Sequence, residues 1–269
     1  LYDLAKNESG FDVTNAQFTE KVGTRFLFVY FDQDKERSFT NYKGSRSDLM
    51  IEASELDLSQ IRRCKVFNYT PLSFEFDYPI AKAAELALAE AHSAGVMTAF
   101  DSNYRFPYED MKVYHAVQDA IYSAQILKLS QDDIRYFMKE ENVFSACEKL
   151  LAGNAKIVAF TMGTSGSLLY THKGWSYRPA YRVNALDTTG AGDSFMGALI
   201  YLLTHETDNI EELSVLDLER IGDFCNACAA ASTMMRGSLL VMPTLPQIEH
   251  VLKTAPRIET QFDKIHKTF

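Results

Sequence analysis

The feature that most constrains this chain is an alternation that begins near Leu56 and runs through most of its 269 residues. Short runs rich in β-branched and aromatic residues take turns with longer runs whose apolar residues recur every three or four positions. Lys65 to Tyr69, Val96 to Asp101, Ile126 to Leu129 and Ile157 to Thr161 read as strands. Pro79 to Ser93, stopped by Gly95, reads as a helix, as do Val113 to Ser123 and Val143 to Ala152. Ser130 with Asp133 looks like a capped helix start. Strands separated by helices of this length form parallel β-α-β units, so the expected fold class is α/β with a mostly parallel sheet. Between Ser167 and Val183 the alternation gives way to short runs around Gly174, which read as antiparallel strands. Two helices and a last one near Gln247 to Leu252 complete the chain.

In such a sheet, ligands sit beyond the carboxyl ends of the strands. That rule directs attention to Asn68, Asp101, Lys128, Gly163 and Asp187. Other regions are read by exclusion. The net charge of −9 provides no basic footprint for nucleic acid. No apolar run approaches the ~20 residues that span a bilayer, and none reads as a signal peptide. Of the four cysteines, Cys225 and Cys228 form C-x-x-C. They also fall on one apolar helical stripe with Ile221, Phe224 and Ala229, and no second pair or histidine completes a metal site. Core packing is the expected role, and the cysteine usage fits a reducing cytoplasm. The six histidines are scattered, and Trp175 reads as a hairpin packing residue.

Before the alternation, Leu1 to Asn7 reads as the end of a helix. Arg25 to Phe31 and Arg37 to Tyr42 read as two strands joined by the polar run from Asp32 to Glu36. Phe26, Phe28, Tyr30, Phe31, Phe39 and Tyr42 are more aromatic surface than a two-stranded ribbon can bury alone. The hairpin is expected to cover either the main body or a partner chain.

The run from Asn184 to Gly197 carries the chemistry. Phe195, Ala198, Leu199, Leu202 and Leu203 form a helical stripe, so the preceding glycines lie at a helix N-terminus. There the first N–H groups lack intrahelical partners, and the helix dipole favours negative charge. Gly190, Ala191 and Gly192 thus read as an anion hole. Asp193 beside it would repel an anion unless it serves to take a proton from a nucleophile attacking a phosphate. Asp193 also suits a plain glycine-rich turn, where an acidic first-turn residue is favoured by the dipole alone. The residues by themselves leave both readings open. The turn from Gly163 to Ser167 is neither a nucleophile elbow nor a phosphate-binding P-loop, and no dinucleotide fingerprint follows an early strand.

Asp187-Thr-Thr-Gly-Ala-Gly-Asp193 and the following Ser-Phe-Met-Gly resemble the C-terminal signature of the PfkB, or ribokinase-like, carbohydrate kinases. Asp101-Ser-Asn-Tyr-Arg105 is similar to the family's D-x-N-x-R motif. Ile126 to Ser130 resembles the strand before its nucleotide-side helix. Thr161-Met-Gly163 with Ser165-Gly166 resembles its T-x-G-x-x-G turn. Phe224-Cys-Asn226 and Arg236-Gly237 resemble its late helix and the loop beyond. The resemblance runs in order from about residue 1 to 253, with fructokinases and 2-keto-3-deoxygluconate kinases looking nearest.

The resemblance implies a three-layer α/β/α sandwich with a small β-sheet lid. Residues 20–48 would supply part of the lid, and residues 1–19 and 49–269 the catalytic domain. It implies transfer of the γ-phosphoryl group of ATP to a primary hydroxyl of a sugar. Asp193 would be the base, with Gly190, Ala191 and Gly192 around the moving group. Lys128, Thr161, Gly163, Ser165 and Asn226 would serve ATP. Asn103 and Arg105 would join Asp193 at the substrate. Asp187 and Thr189, with backbone groups of Ser232, Met235 and Gly237, would hold a monovalent cation, K+. Mg2+ would ride on the ATP phosphates. A homodimer through the lid, and a cytoplasmic location, are also implied.

The chain departs from the family pattern twice. Ser130 and Asp133 stand where the family has N-x-x-E, leaving Asp133 an indirect link to Mg2+. The family's opening strand and Gly-Gly motif have no counterpart, so roughly 50–60 residues are expected to be missing by that comparison. Arg105 reads either as a surface arginine paired with Asp101 or Glu109, or as the partner of a substrate carboxylate. Lys43 and Arg46 read either as solvated or as reaching toward the substrate. Fructokinase is the first expectation and 2-keto-3-deoxygluconate kinase the second. A non-catalytic sugar- or nucleotide-sensing relative is the alternative from another class.

Overall fold

The computed structural model describes residues 2–7, 11–31, 37–41, 46–103, 110–207, 209–237, 239 and 242–260. A short helix α1 (Tyr2–Asn7) is followed by β1 (Leu27–Phe31) and β2 (Arg37–Asn41), which pair antiparallel as a separate two-stranded sheet. Helix α2 (Leu58–Arg63) leads into the alternating part. Its order is β3 (Val66–Tyr69), α3 (Ile80–Ser93), β4 (Met97–Asp101), α4 (Met111–Ser123), β5 (Ile126–Ser130), α5 (Gln131–Asp133), α6 (Val143–Leu151) and β6 (Ile157–Thr161). Then come β7 (Ser167–Thr171), β8 (Gly174–Arg178), α7 (Ala191–His205), α8 (Val215–Ser232) and α9 (Leu245–Thr254).

Strands β3 to β8 form one sheet in sequential order. Neighbours from β3 through β6 are parallel, and β6, β7 and β8 are antiparallel, as the break after Ser167 predicts. Side chains alternate across the sheet with a period of two. Ala99, Ile126, Ile157 and Ala159 therefore pack with Phe195, Leu199, Ile221 and Ile248 of α7, α8 and α9. Phe100, Leu127, Val158 and Phe160 pack the other way, against Val117 and Ile121 of α4 and Ala146 and Leu150 of α6. Helices on both faces explain why these strands read as nearly continuous apolar runs. Phe100 and Phe160 are fully buried, and truncating either to Ala should cost about 3–5 kcal/mol.

Cys225 and Cys228 lie in the first of these cores as free thiols, in line with the packing role. Trp175 packs edge-on against Phe144 at 5.2 Å. Phe26 and Phe28 near and on β1 are exposed. Among the described residues no helix is long and apolar enough to cross a membrane.

The segment after β5 differs from a plain helix. Ser130 and Asp133 do make a reciprocal capping box, but the single turn of α5 widens into a π turn over Ile134–Met138. It ends at Lys139, whose φ is 55°. Aromatic packing accounts for the wide turn: Phe137 is fully buried and stacks on Tyr114 at 5.5 Å, with Tyr136 edge-on to it.

Candidate active site

Asp101 ends β4 and is the direct ladder partner of Lys128, which lies in the middle of β5 rather than at its end, because that strand runs on to Ser130 beside β6. Asp101 shares its sheet face with Ala99, and Lys128 shares its own with Ile126, so both lie on the face that α7 covers. Both residues are buried. The Lys128 ammonium donates to both Asp101 oxygens at 2.8 Å. Asp101 Oδ1 also accepts from the Asn103 N–H at 3.1 Å, where the backbone turns through φ 35°. Burial pushes the Asp101 carboxyl above the ordinary range; the Lys128 charge opposes this, and the Asp193 charge adds to it.

Helix α7 begins over this pair. Its N-cap is Gly190, at φ 82° and with no side-chain cap. Helices α4, α6 and α8, by contrast, are capped by the side chains of Asp110, Asn142 and Ser214. The N-terminus of α7 is thus left open to an outside acceptor. The Ala191 N–H turns back to the Thr188 carbonyl at 3.3 Å, so it is already engaged within the turn. Gly192 lies against Lys128: a Cβ there would stand 3.2 Å from Nζ. Asp193 is exposed in the first turn. The strand-end rule and the glycine run therefore converge on one place.

A cavity of about 480 Å³ opens beside that place. Ala191 and Gly192 line one end, and Thr161, Gly163 and Asn226 line its sides. Ser165 lines a neighbouring cavity of about 410 Å³ that shares Thr161 and Gly163. Gly166 closes the turn between them, because a Cβ there would meet the Arg178 carbonyl at 2.1 Å. Asn226 Nδ2 donates to that carbonyl at 2.9 Å, so the side chain fixes the wall rather than standing loose in the cavity.

Tyr181, Arg182 and Ile258 also line the cavity, and none was singled out in the sequence. The chain returns after α9 to pair antiparallel with Tyr181 through Arg257. Arg257 stacks on the Tyr181 ring at 3.9 Å and reaches Asp223 at 2.7 Å; Arg178 grips the same carboxylate through Nε and Nη2 at 2.6 and 2.7 Å. The available signal was Asp223 itself, one helical turn before Asn226 on α8.

Asp187 and Thr189 are brought to the loop after α8. Asp187 Oδ1 accepts from the Thr189 N–H at 2.9 Å and Oδ2 from the Gly237 N–H at 3.3 Å. The N–H groups of Leu186 and Asp187 both donate to the Thr233 carbonyl. Ser232 is buried at the end of α8, and the Met235 side chain is exposed. Carboxylate, hydroxyl and backbone carbonyl oxygens are the hard donors that oxygen-preferring cations take. Asp133 Oδ2 is taken up by the capping box, accepting from the Ser130 N–H and hydroxyl at 2.6 Å each, while Oδ1 is buried without a partner among the described residues. Among the described residues no group of three or more His, Cys, Asp or Glu gathers as a metal centre.

Arg46 lies over the Tyr78 ring at 5.6 Å. Lys43 and Arg105 fall outside the described residues.

The sequence pattern of the pfkB family of carbohydrate kinases matches residues 5–245. The chain is 30% identical over 258 residues to a probable fructokinase-5 of Arabidopsis thaliana, covering 93% of this chain and 77% of that protein. It is 29% identical over 264 residues to fructokinase-2 of Oryza sativa subsp. japonica, covering 95% and 76%. Its fold is similar to that of a fructokinase with bound ATP from Xylella fastidiosa, with TM-score 0.75 at 22% identity, covering 87% of this chain and 75% of that one. It is also similar to an aminoimidazole riboside kinase from Salmonella enterica, with TM-score 0.73 at 22% identity, covering 93% and 80%.

Proposed function

This chain belongs to the pfkB family of carbohydrate kinases, and from that premise we propose that it is an ATP-dependent fructokinase. The observation that carries the reading is the start of α7, which lacks a side-chain cap and where Asp193 follows a glycine turn backed by a buried lysine. The fructokinase relatives support fructose as the acceptor, and the ATP-bound fructokinase of similar fold supports ATP as the donor.

In this reading the nucleotide occupies the 480 Å³ cavity, between the turn at Thr161 and Gly163 and the wall fixed by Asn226. Ser165 lies at the margin. The terminal phosphate of the nucleotide reaches Gly190, Ala191 and Gly192, with Lys128 below. Mg2+ enters as part of the substrate MgATP. Asp193 takes the proton from a primary sugar hydroxyl as that hydroxyl oxygen attacks the γ-phosphorus, and the bond from the γ-phosphorus to the bridging oxygen breaks to release ADP; the base contributes about 10²–10⁴-fold. Preorganised N–H donors stabilise the charge that develops on the transferred group, each by about 10²–10³-fold. Asn103 and Arg105 orient the sugar. Asp187 and Thr189, with the backbone of Ser232, Met235 and Gly237, would hold K+, which adds positive charge behind the anion hole.

Residues 20–48 form part of a lid over the sugar, and the rest is the catalytic domain. Lid closure excludes water and limits futile ATP hydrolysis. The exposed Phe26 and Phe28 support a homodimer through this hairpin. A coupled ADP-release assay with a panel of sugars and sugar acids tests the assignment. Fructose should give the highest kcat/KM, and a preference for 2-keto-3-deoxygluconate would replace fructose with a sugar acid.

A further inference from the structure

Asp101 has no role in the reading above, yet it makes the most buried ionic contact at the site. We infer that Asp101 is a positioning residue of the phosphoryl-transfer site, holding the Lys128 ammonium against Gly192 while it fixes the turn that carries Asn103. The inference rests on the kinase reading and extends it.

Three observations support it. The two residues are ladder partners on the α7 face, so the backbone presents them to each other before any side chain moves. Both Asp101 oxygens accept from the ammonium at 2.8 Å, a two-point hold that restricts a flexible four-carbon stem. The absence of a side chain at Gly192 leaves Nζ only 3.2 Å from where a Cβ would stand, which places the charge directly under the first turn of α7. Asp101 Oδ1 at the same time accepts from the Asn103 N–H, tying the acceptor-side turn to the donor-side lysine.

Burial works against the ionised form of Asp101, the Lys128 charge favours that form, and the Asp193 charge adds a smaller push against it. An ammonium buried this deeply needs an acid beside it, and Asp101 is that acid.

Asp101→Asn isolates the link, because Asn keeps an oxygen acceptor for the Asn103 N–H while giving up the charge. The variants Asp101→Asn, Lys128→Met and the double are compared by MgATP binding in a calorimeter, by kcat/KM for ATP, and by KM for the sugar. Each single variant should lose about tenfold or more in kcat/KM for ATP, the scale of one charge-assisted contact. The sugar KM should hold for Asp101→Asn and rise for Asp101→Ala. The double should be no worse than Lys128→Met, because Asp101 works through Lys128. If Asp101→Asn does not fold, the double removes the orphaned cation, and its MgATP affinity should equal that of Lys128→Met. Losses that multiply, or an Asp101→Asn that binds and turns over MgATP like the wild type, would overturn the inference. A wild-type protein that binds no nucleotide would instead sink the kinase reading on which it rests.

Discussion

The Gly237 N–H donates to Asp187 Oδ2 at 3.3 Å, joining two loops 50 positions apart. The contact ties the strand-to-helix loop before α7 to the loop after α8, so whatever stabilises one loop orders the other. If oxygens of these loops hold K+, exchanging it for Na+ should lower kcat several-fold at fixed ionic strength. Asp187→Ala should remove the difference between the two ions. Equal rates in K+ and Na+ for the wild type would count against the cation site.

The glycines before Asp193 separate stability from chemistry. Gly190 sits at φ 82°, so Gly190→Ala should cost about 1–2 kcal/mol of stability. Gly192 has an ordinary backbone, and its Cβ would press on the end of Lys128 alone. Gly192→Ala should therefore melt close to the wild type while losing roughly tenfold or more in kcat/KM for ATP. Parallel losses of melting temperature in both variants would contradict this division.

Much of the site could be read from residue order. The strand ends and the glycine run converge because a parallel sheet places every carboxyl end on one edge. The Asp101–Lys128 pair could not be read that way, since it depends on the β4–β5 register as well as on the face each residue takes. The π turn after Asp133 was hidden because its capping box reads the same for a regular helix. The wall formed by Tyr181 and Ile258 needs a chain return from beyond α9, and an isolated bridge has no periodic signature.

That wall gives a third test. Arg257 joins Tyr181 and Asp223 and so holds Ile258 at the cavity. Arg257→Ala should raise KM for ATP several-fold and leave KM for the sugar unchanged. A matching rise in both constants would mean that the bridge supports the whole fold rather than the nucleotide wall.

The buried thiols predict an alkaline weakness. Burial pushes Cys147 and Cys228 from 9.0 up to about 12. The unfolded chain therefore loses these protons first. Their contribution is complete below pH about 9 and declines as pH rises toward 12, by about 1.4 kcal/mol per pH unit for each thiol. Urea midpoints at pH 8 and 10.5 should fall less for Cys147→Ala than for the wild type. In the native state only the exposed Cys64 should react with a thiol reagent. Rapid labelling of Cys147, Cys225 or Cys228 in the folded protein would contradict the buried assignment.

The central claim is that Asp193 is the base at an anion hole formed by the start of α7. The direct measurement is turnover and MgATP affinity of Asp193→Ala beside the wild type, with fructose as acceptor. The account predicts near-normal MgATP affinity with turnover reduced by about 10²–10⁴-fold. Near-normal turnover in the variant would contradict it.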